Sequence, residues 1–212
     1  MELTPGRALS TAPTAPIRLL IVDDHAAVRA GLRQLLSEDA GFAVVAAVAG
    51  AEDALAVAES EFVDVAIVDY QLPDRNGLWL TRKLKRLEQP PAVLIYSAYT
   101  DSVLAAAAVV AEADAIVSKG GLGSELADAI REVVGGRRTL PPLPAWLGDA
   151  LRGRLDHEQQ AIFGLLLAGI APDEIARTLS LSDGELEAQL WTMLHALEAP
   201  HRRLQGDDSL RA

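Results

Sequence analysis

The feature that most constrains this chain is a set of five strand-length apolar runs. They are IRLLIV (17–22), FAVVAAV (42–48), VDVAIVD (63–69), AVLIYS (92–97) and ADAIVS (113–118). Most are continuous rather than alternating. A strand with one wet face alternates apolar and polar residues, whereas a strand covered on both faces, as in a parallel sheet, does not need to. Helical spacing fills the gaps, as in Val28, Leu32, Leu35 and Leu36, or Leu78, Leu80, Leu84 and Leu87. Five strand–helix pairs across residues 17–134 predict a doubly wound α/β domain on a five-stranded parallel sheet.

The remainder divides by composition. The opening MELTPGRALSTAPTAP (1–16) reads as a flexible lead; it lacks the basic start and apolar run of a signal peptide. After residue 134, GGRRTLPPLPAWLG opens a linker spanning 135–153, where Gly135 and Gly136 stop a helix and Pro141, Pro142 and Pro144 prevent another. Residues 154–199 read as a small all-α domain of three helices. The first covers about 156–168 and is closed by Gly169; the second covers about 172–179, with Asp173 and Glu174 in its first turn. The third starts at the capping box Ser182–Glu185 and carries Leu186, Leu190, Met193, Leu194 and Leu197 as its core stripe. Trp191 lies off that stripe and is read as a dimer contact. Residues 200–212 form a loose polar tail.

Composition narrows the function classes. Half of the 212 residues are hydrophobic, enough for a packed core and too many for wholesale disorder. The chain has no Cys, which excludes disulfides, thiolate metal sites and cysteine nucleophiles and fits a cytoplasmic setting. No run of eighteen apolar residues is present, so neither a spanning helix nor a membrane partner is expected. Thirty acidic against nineteen basic residues give a net charge of −11. Residues 1–150 carry 13 basic and 20 acidic (−7) and residues 151–212 carry 6 and 10 (−4), so neither part offers a broad electrostatic grip on nucleic acid.

Ligand chemistry in open α/β sheets collects at the carboxyl ends of the strands. Asp23, Asp24, Asp69, Ser97 and Lys119 all stand at such ends. Any one of the Asp residues can be no more than a cap for the helix that follows; the joint pattern is the signal. Three converging carboxylates repel one another unless a hard cation neutralises them, and Mg²⁺ takes carboxylates together with phosphate oxygens. Lys119 can pair first with a carboxylate and then with a phosphate, and Ser97 offers that phosphate a hydroxyl. A carboxylate nucleophile beside Mg²⁺ can form an acyl phosphate.

The segments LLIVDDHAAVRAGLRQLL, VAIVDYQLPDRNGLWL, VLIYSA and AIVSKG resemble the receiver domain of two-component response regulators, nearest the NarL/LuxR type. The resemblance covers residues 17–134. It implies a flavodoxin-like receiver in which Asp69 is the phosphoacceptor and Asp23 and Asp24 are the acidic Mg²⁺ pair. The backbone carbonyl of Gln71 would be the third protein ligand of the ion, Ser97 the switch hydroxyl and Lys119 the phosphate-pairing lysine. Pro73 and Gly77 shape the loop after the phosphoacceptor, and His25 has a structural or tuning role at a helix start. Two positions depart from the pattern: Ile116 stands where an aromatic switch residue is usual, and Gly120 follows the lysine.

LDHEQQAIFGLLLAGIAPDEIARTLSLSDGELEAQLWTMLHAL resembles the LuxR-type helix-turn-helix domain. A recognition helix is held in the major groove by Lys, Arg and neutral donors. Over Ser182–Leu197 this one has Asp183, Glu185 and Glu187 and no Lys or Arg, with Glu187 standing where the family has Lys. Gln189 can pair with adenine and Arg177 lies beside the reading face, as does the later pair Arg202 and Arg203.

Three readings compete. The family default is a regulator phosphorylated by a sensor histidine kinase, dimerising on phosphorylation and binding promoter DNA, with no enzyme activity beyond its own phosphorylation and dephosphorylation. The alternative is a regulator whose output helices have exchanged DNA for protein contact. The third is a Mg²⁺-dependent phosphatase with an aspartyl nucleophile, opposed by the usual placement of such nucleophiles on the first strand.

Overall fold

The computed structural model describes residues 15–198 apart from 145, 148–150 and 152. The lead (but for residues 15 and 16), the tail, and with it Arg202 and Arg203, lie outside the described residues. Strands and helices alternate: β1 (Ile17–Val22), α1 (Ala26–Ser37), β2 (Phe42–Val48), α2 (Ala51–Ser60), β3 (Val65–Asp69), α3 (Gly77–Leu84), β4 (Ala92–Ser97), α4 (Ser102–Val110), β5 (Ala115–Ser118) and α5 (Gly123–Val134). Later in the chain lie α6 (His157–Leu167), α7 (Pro172–Leu179) and α8 (Asp183–Glu198).

All strand pairings are parallel, in the order β2-β1-β3-β4-β5. The continuous apolar runs are explained by the two faces they serve. Leu19 and Ile21 pack with Leu32, Leu36, Leu126 and Ile130 beneath α1 and α5. Leu20 and Val22 turn to the opposite face, with Ala54, Leu78, Leu84 and Leu104 of α2, α3 and α4. Successive residues of a strand point to opposite sides, so both must be apolar here. Strand order reverses between β1 and β3, which opens a crevice at their carboxyl ends.

Caps fix where the helices begin. Asn76 accepts from Trp79 N–H at the head of α3, and Asp101 accepts from Val103 and Leu104 at the head of α4. Gly50, before α2, has no side chain to offer. That helix is capped instead from a distance by Asp74, which accepts from the N–H groups of Ala51 and Glu52, each at 3.0 Å. In the helical domain the Ser182–Glu185 box is present, and a second one joins Asp156 to Gln159. Gly169 ends α6 with φ +76°, and Ser180 adopts the left-handed conformation after α7.

The linker begins as a sheet appendage. Thr139 donates its N–H to the carbonyl of Asp114 at 2.7 Å and forms a parallel bridge with Ala115, while Arg138 reaches the carbonyl of Ala113. The helical domain packs on the receiver, with α8 and α6 against α4.

Candidate functional site

β1, β3, β4 and β5 deliver Asp23, Asp69, Ser97 and Lys119 to one crevice because each strand ends in register with its neighbour: Val22 opposite Val68, Asp69 opposite Tyr96, and Ser97 opposite Ser118. Asp23 is 1% exposed, Asp69 5% and Ser97 2%, so this is a desolvated polar cluster. The Lys119 ammonium donates to Asp23 Oδ2 at 2.6 Å and to Asp69 Oδ2 at 2.7 Å. It also lies 5.8 Å from the Tyr96 ring centroid. Lys119 N–H bonds the Ser97 carbonyl at 2.8 Å, tying the end of β5 to that of β4.

The pairing sets the electrostatics. Burial pushes the Asp69 carboxyl above its ordinary value; Lys119 pulls against this without cancelling it, and the charge on Asp23 adds to the rise. For Lys119 burial acts to lower the ammonium, but its bonds to Asp23 and Asp69 outweigh burial and hold it above its ordinary value. The lysine therefore stays charged beside an Asp69 carboxyl whose burial makes its charge costly.

Ligating atoms of Asp23, Asp24, His25 and Asp69 all lie within 4.8 Å of one another. Three carboxylates facing one lysine leave negative charge uncompensated, and the donor set is mainly hard oxygen, which fits a small hard cation such as Mg²⁺. His25 organises this edge. Its N–H donates to Asp23 Oδ1 at 2.8 Å, and its Nδ1 lies 2.6 Å from Asp24 Oδ1. Gln71 N–H faces Asp69 Oδ1 at 3.3 Å, and a bridge between Gln71 and Asn76 pins the loop that carries it. Ser97, Tyr99 and Val28 complete the walls. Ser97 Oγ accepts from Tyr99 N–H at 3.1 Å.

Asp23, Asp24, His25, Asp69, Gln71, Ser97 and Lys119 thus lie together around this crevice. Three neighbours complete the surroundings, of which Asp74 was not anticipated. Asp74 holds the loop after β3 to α2. Tyr99, 55% exposed, forms part of the rim. Gly77 permits main-chain contact between α3 and the end of β3: a Cβ there would stand 2.2 Å from the Asp69 carbonyl oxygen. Sequence flagged Gly77 as loop-shaping but not the closeness of that approach.

The output residues lie elsewhere. Gln189 accepts from Gln159 at 3.0 Å and donates to Glu158 at 2.8 Å. Arg177 is exposed and bonded to Asp173 one turn back. Glu187 reaches into the receiver, where it meets Arg82 and Arg86 of the α3 region. Trp191 is half-buried, with Lys83 of α3 5.9 Å from its ring centroid. Trp146 is 58% exposed.

Comparison with known proteins agrees with this geometry. Residues 19–131 match the model of the response regulator receiver domain. The chain is 29% identical to Response regulator UvrY of Escherichia coli (strain K12) over 191 residues, covering 85% of this chain and 88% of that protein. It is 32% identical over 197 residues to the DNA-binding transcriptional activator DevR/DosR of Mycobacterium tuberculosis, covering 88% of this chain and 90% of that one. A crystal structure of a LuxR-family two-component response regulator from Aurantimonas sp. SI85-9A1 superposes with a TM-score of 0.57. Its identity is 33%, over 60% of this chain and 91% of that one.

Proposed function

The chain belongs to the two-component response regulators of the NarL/LuxR type, and on that premise we propose that Asp69 accepts a phosphoryl group from a phosphohistidine of a partner sensor kinase and that this controls a helix-turn-helix output acting on transcription. The observation that carries the receiver half is the Lys119 ammonium shared between the buried carboxylates of Asp23 and Asp69.

An Asp69 carboxylate oxygen attacks phosphorus as the N–P bond to histidine breaks, leaving an acyl phosphate on the chain and neutral imidazole on the kinase. Lys119 holds the carboxylate in place beforehand and transfers its bond to a phosphoryl oxygen afterwards. Ser97 sits at the next strand end with a hydroxyl proton to donate to the same group. Asp23, Asp24, Asp69 and the Gln71 carbonyl would hold Mg²⁺, which when bound neutralises carboxylate and phosphoryl charge. Drawing Ser97 inward moves the head of α4 through the Ser97–Tyr99 bond, which gives the phosphate a route to the surface.

Incubation with a small-molecule phosphodonor and Mg²⁺ tests this reading. Wild type takes up phosphate and Asp69→Asn takes up none; uptake that survives the substitution would sink the assignment. Lys119→Ala is expected to lose the downstream response while retaining Mg²⁺ binding.

A second reading, output through protein contact, is favoured by one observation. Glu187, which stands where the family pattern implies Lys, has its carboxylate engaged by Arg82 and Arg86. A DNA-binding selection at low salt, with and without phosphorylation, separates the two. Sequence-specific enrichment supports transcriptional output, and its absence with phosphorylation-dependent partner capture supports protein contact.

A further inference from the structure

α4 is built unlike a helix that borders solvent. Its sequence is SVLAAAAVV, and all seven residues from Leu104 to Val110 are buried. Seven consecutive residues span almost two turns and point in every direction, so one side meets the sheet and the other needs a second cover. That cover is the helical domain. Leu104, Ala108 and Val110 belong to the same continuous cluster of buried residues as Leu190, Met193 and Leu197 of α8 and Ile162 of α6.

A charge cluster closes the seam. Arg82, on α3, is fully buried and bonds Glu112 at 2.5 Å and Glu187 of α8. Arg86 reaches the same two carboxylates, at 2.8 Å for Glu112 and 3.1 Å for Glu187. Two guanidiniums and two carboxylates make a neutral quartet. Beside it Lys83 lies 5.7 Å from the Trp79 ring centroid and 5.9 Å from that of Trp191. A lysine at 187 would face Arg82 and Arg86 together, so the acidic residue at this position suits the seam.

We infer that the C-terminal helical domain is a fixed cover for α4, locked by the Arg82–Arg86–Glu112–Glu187 quartet, and that the α8 face bearing Glu187 and Trp191 stays closed after phosphorylation. This rests on the protein-contact reading above and deepens it: phosphorylation reshapes a two-domain unit without releasing a reading helix. Lifting α8 would bare an alanine–valine surface on α4, so closure is favoured on apolar grounds, and the Glu187 contacts with Arg82 and Arg86 fix its register.

Hydrogen exchange on the full chain tests the inference, with and without beryllofluoride and Mg²⁺ as the acyl-phosphate mimic. Protection of residues 102–110 and 183–198 is expected to change less than about threefold on addition of the mimic. A joint loss of tenfold or more in both segments would overturn the closed state while leaving the receiver reading intact. The partly exposed pair Arg86→Ala and Glu187→Gln supplies an independent measurement through a double-mutant cycle in urea. Coupling of at least about fivefold in the unfolding constant supports the lock, and additivity refutes it. If the mimic changes exchange nowhere, the receiver reading fails and the cycle alone decides the seam. Glu187→Lys is expected to raise exchange in both segments by tenfold or more; unchanged exchange would also count against the lock.

Discussion

Adding a single methyl group at Gly77 is expected to disable the site from behind. The methyl carbon would stand 2.2 Å from the Asp69 carbonyl oxygen and 3.0 Å from both the Asp69 carbonyl carbon and Tyr70 Cα. All three are main-chain atoms, so no rotamer change relieves the clash. Restoring a normal non-bonded separation requires roughly 1 Å of backbone movement between α3 and the end of β3. Overpacking of this kind costs about 1–3 kcal/mol, while alanine recovers up to about 1 kcal/mol in a helix. The net loss is therefore up to about 3 kcal/mol, a fall in Tm of up to about 12 °C for a chain of this size. Displacing the nucleophile by about 1 Å can slow a positioned reaction by about 10²-fold, so phosphorylation should slow by at least about tenfold. The assay is thermal denaturation beside the rate of phosphate uptake from a small donor. Gly31, in α1, has nothing within 4 Å of the corresponding point. Gly31→Ala should therefore stabilise by up to about 1 kcal/mol and leave uptake unchanged. If Gly77→Ala matches wild type in both measurements, the steric argument is wrong.

Two further predictions concern caps. Asp101 accepts from Val103 and Leu104 at 3.0 and 2.9 Å, so Asp101→Ala should lower stability by about 1 kcal/mol, measured as a shift in the urea midpoint at constant slope. For Asp74, slight burial acts to raise the carboxyl, but N–H groups of Ala51, Glu52 and Arg75 outweigh it and hold the group below its ordinary value. A depressed folded pKa gives stability that is present above the unfolded pKa and lost as pH falls through the folded one. The gap between wild type and Asp74→Ala should be about 0.5–1 kcal/mol near neutral pH and narrow in acid; a gap that widens in acid would contradict this.

The receiver was legible because both its signals are local. A run buried on two faces is apolar at every position, and the polar residue that ends it marks the carboxyl edge of the sheet. Asp23, Asp69, Ser97 and Lys119 could therefore be placed in one crevice before any coordinates. Asp74 could not: it caps a helix more than twenty residues earlier, and nothing in its own loop announces that partner. Nor did anything in the sequence around them mark Arg82 and Arg86, four apart on and just after a short helix, of which one is fully buried. The clue lay in α4, whose unbroken alanine–valine composition demands cover on its outer side. Trp191 was read as an intermolecular contact because an off-stripe aromatic signals an interface without saying whose. Part of its ring meets Lys83 of the same chain.

The bond from Thr139 to Asp114 has a consequence for solubility. β5 is an outer strand of only four residues, and an outer strand presents unpaired amides and carbonyls that can template pairing with a second chain. Thr139 occupies that edge at Asp114, Ala115 and Ile116. The segment that joins the two domains therefore also acts as a stub of sixth strand, blunting the sheet on the side that carries Lys119. Replacing Thr139 by proline would remove the N–H that reaches Asp114 and open that edge to intermolecular strand addition. Such a variant would betray itself first by aggregation, before any change in phosphate chemistry.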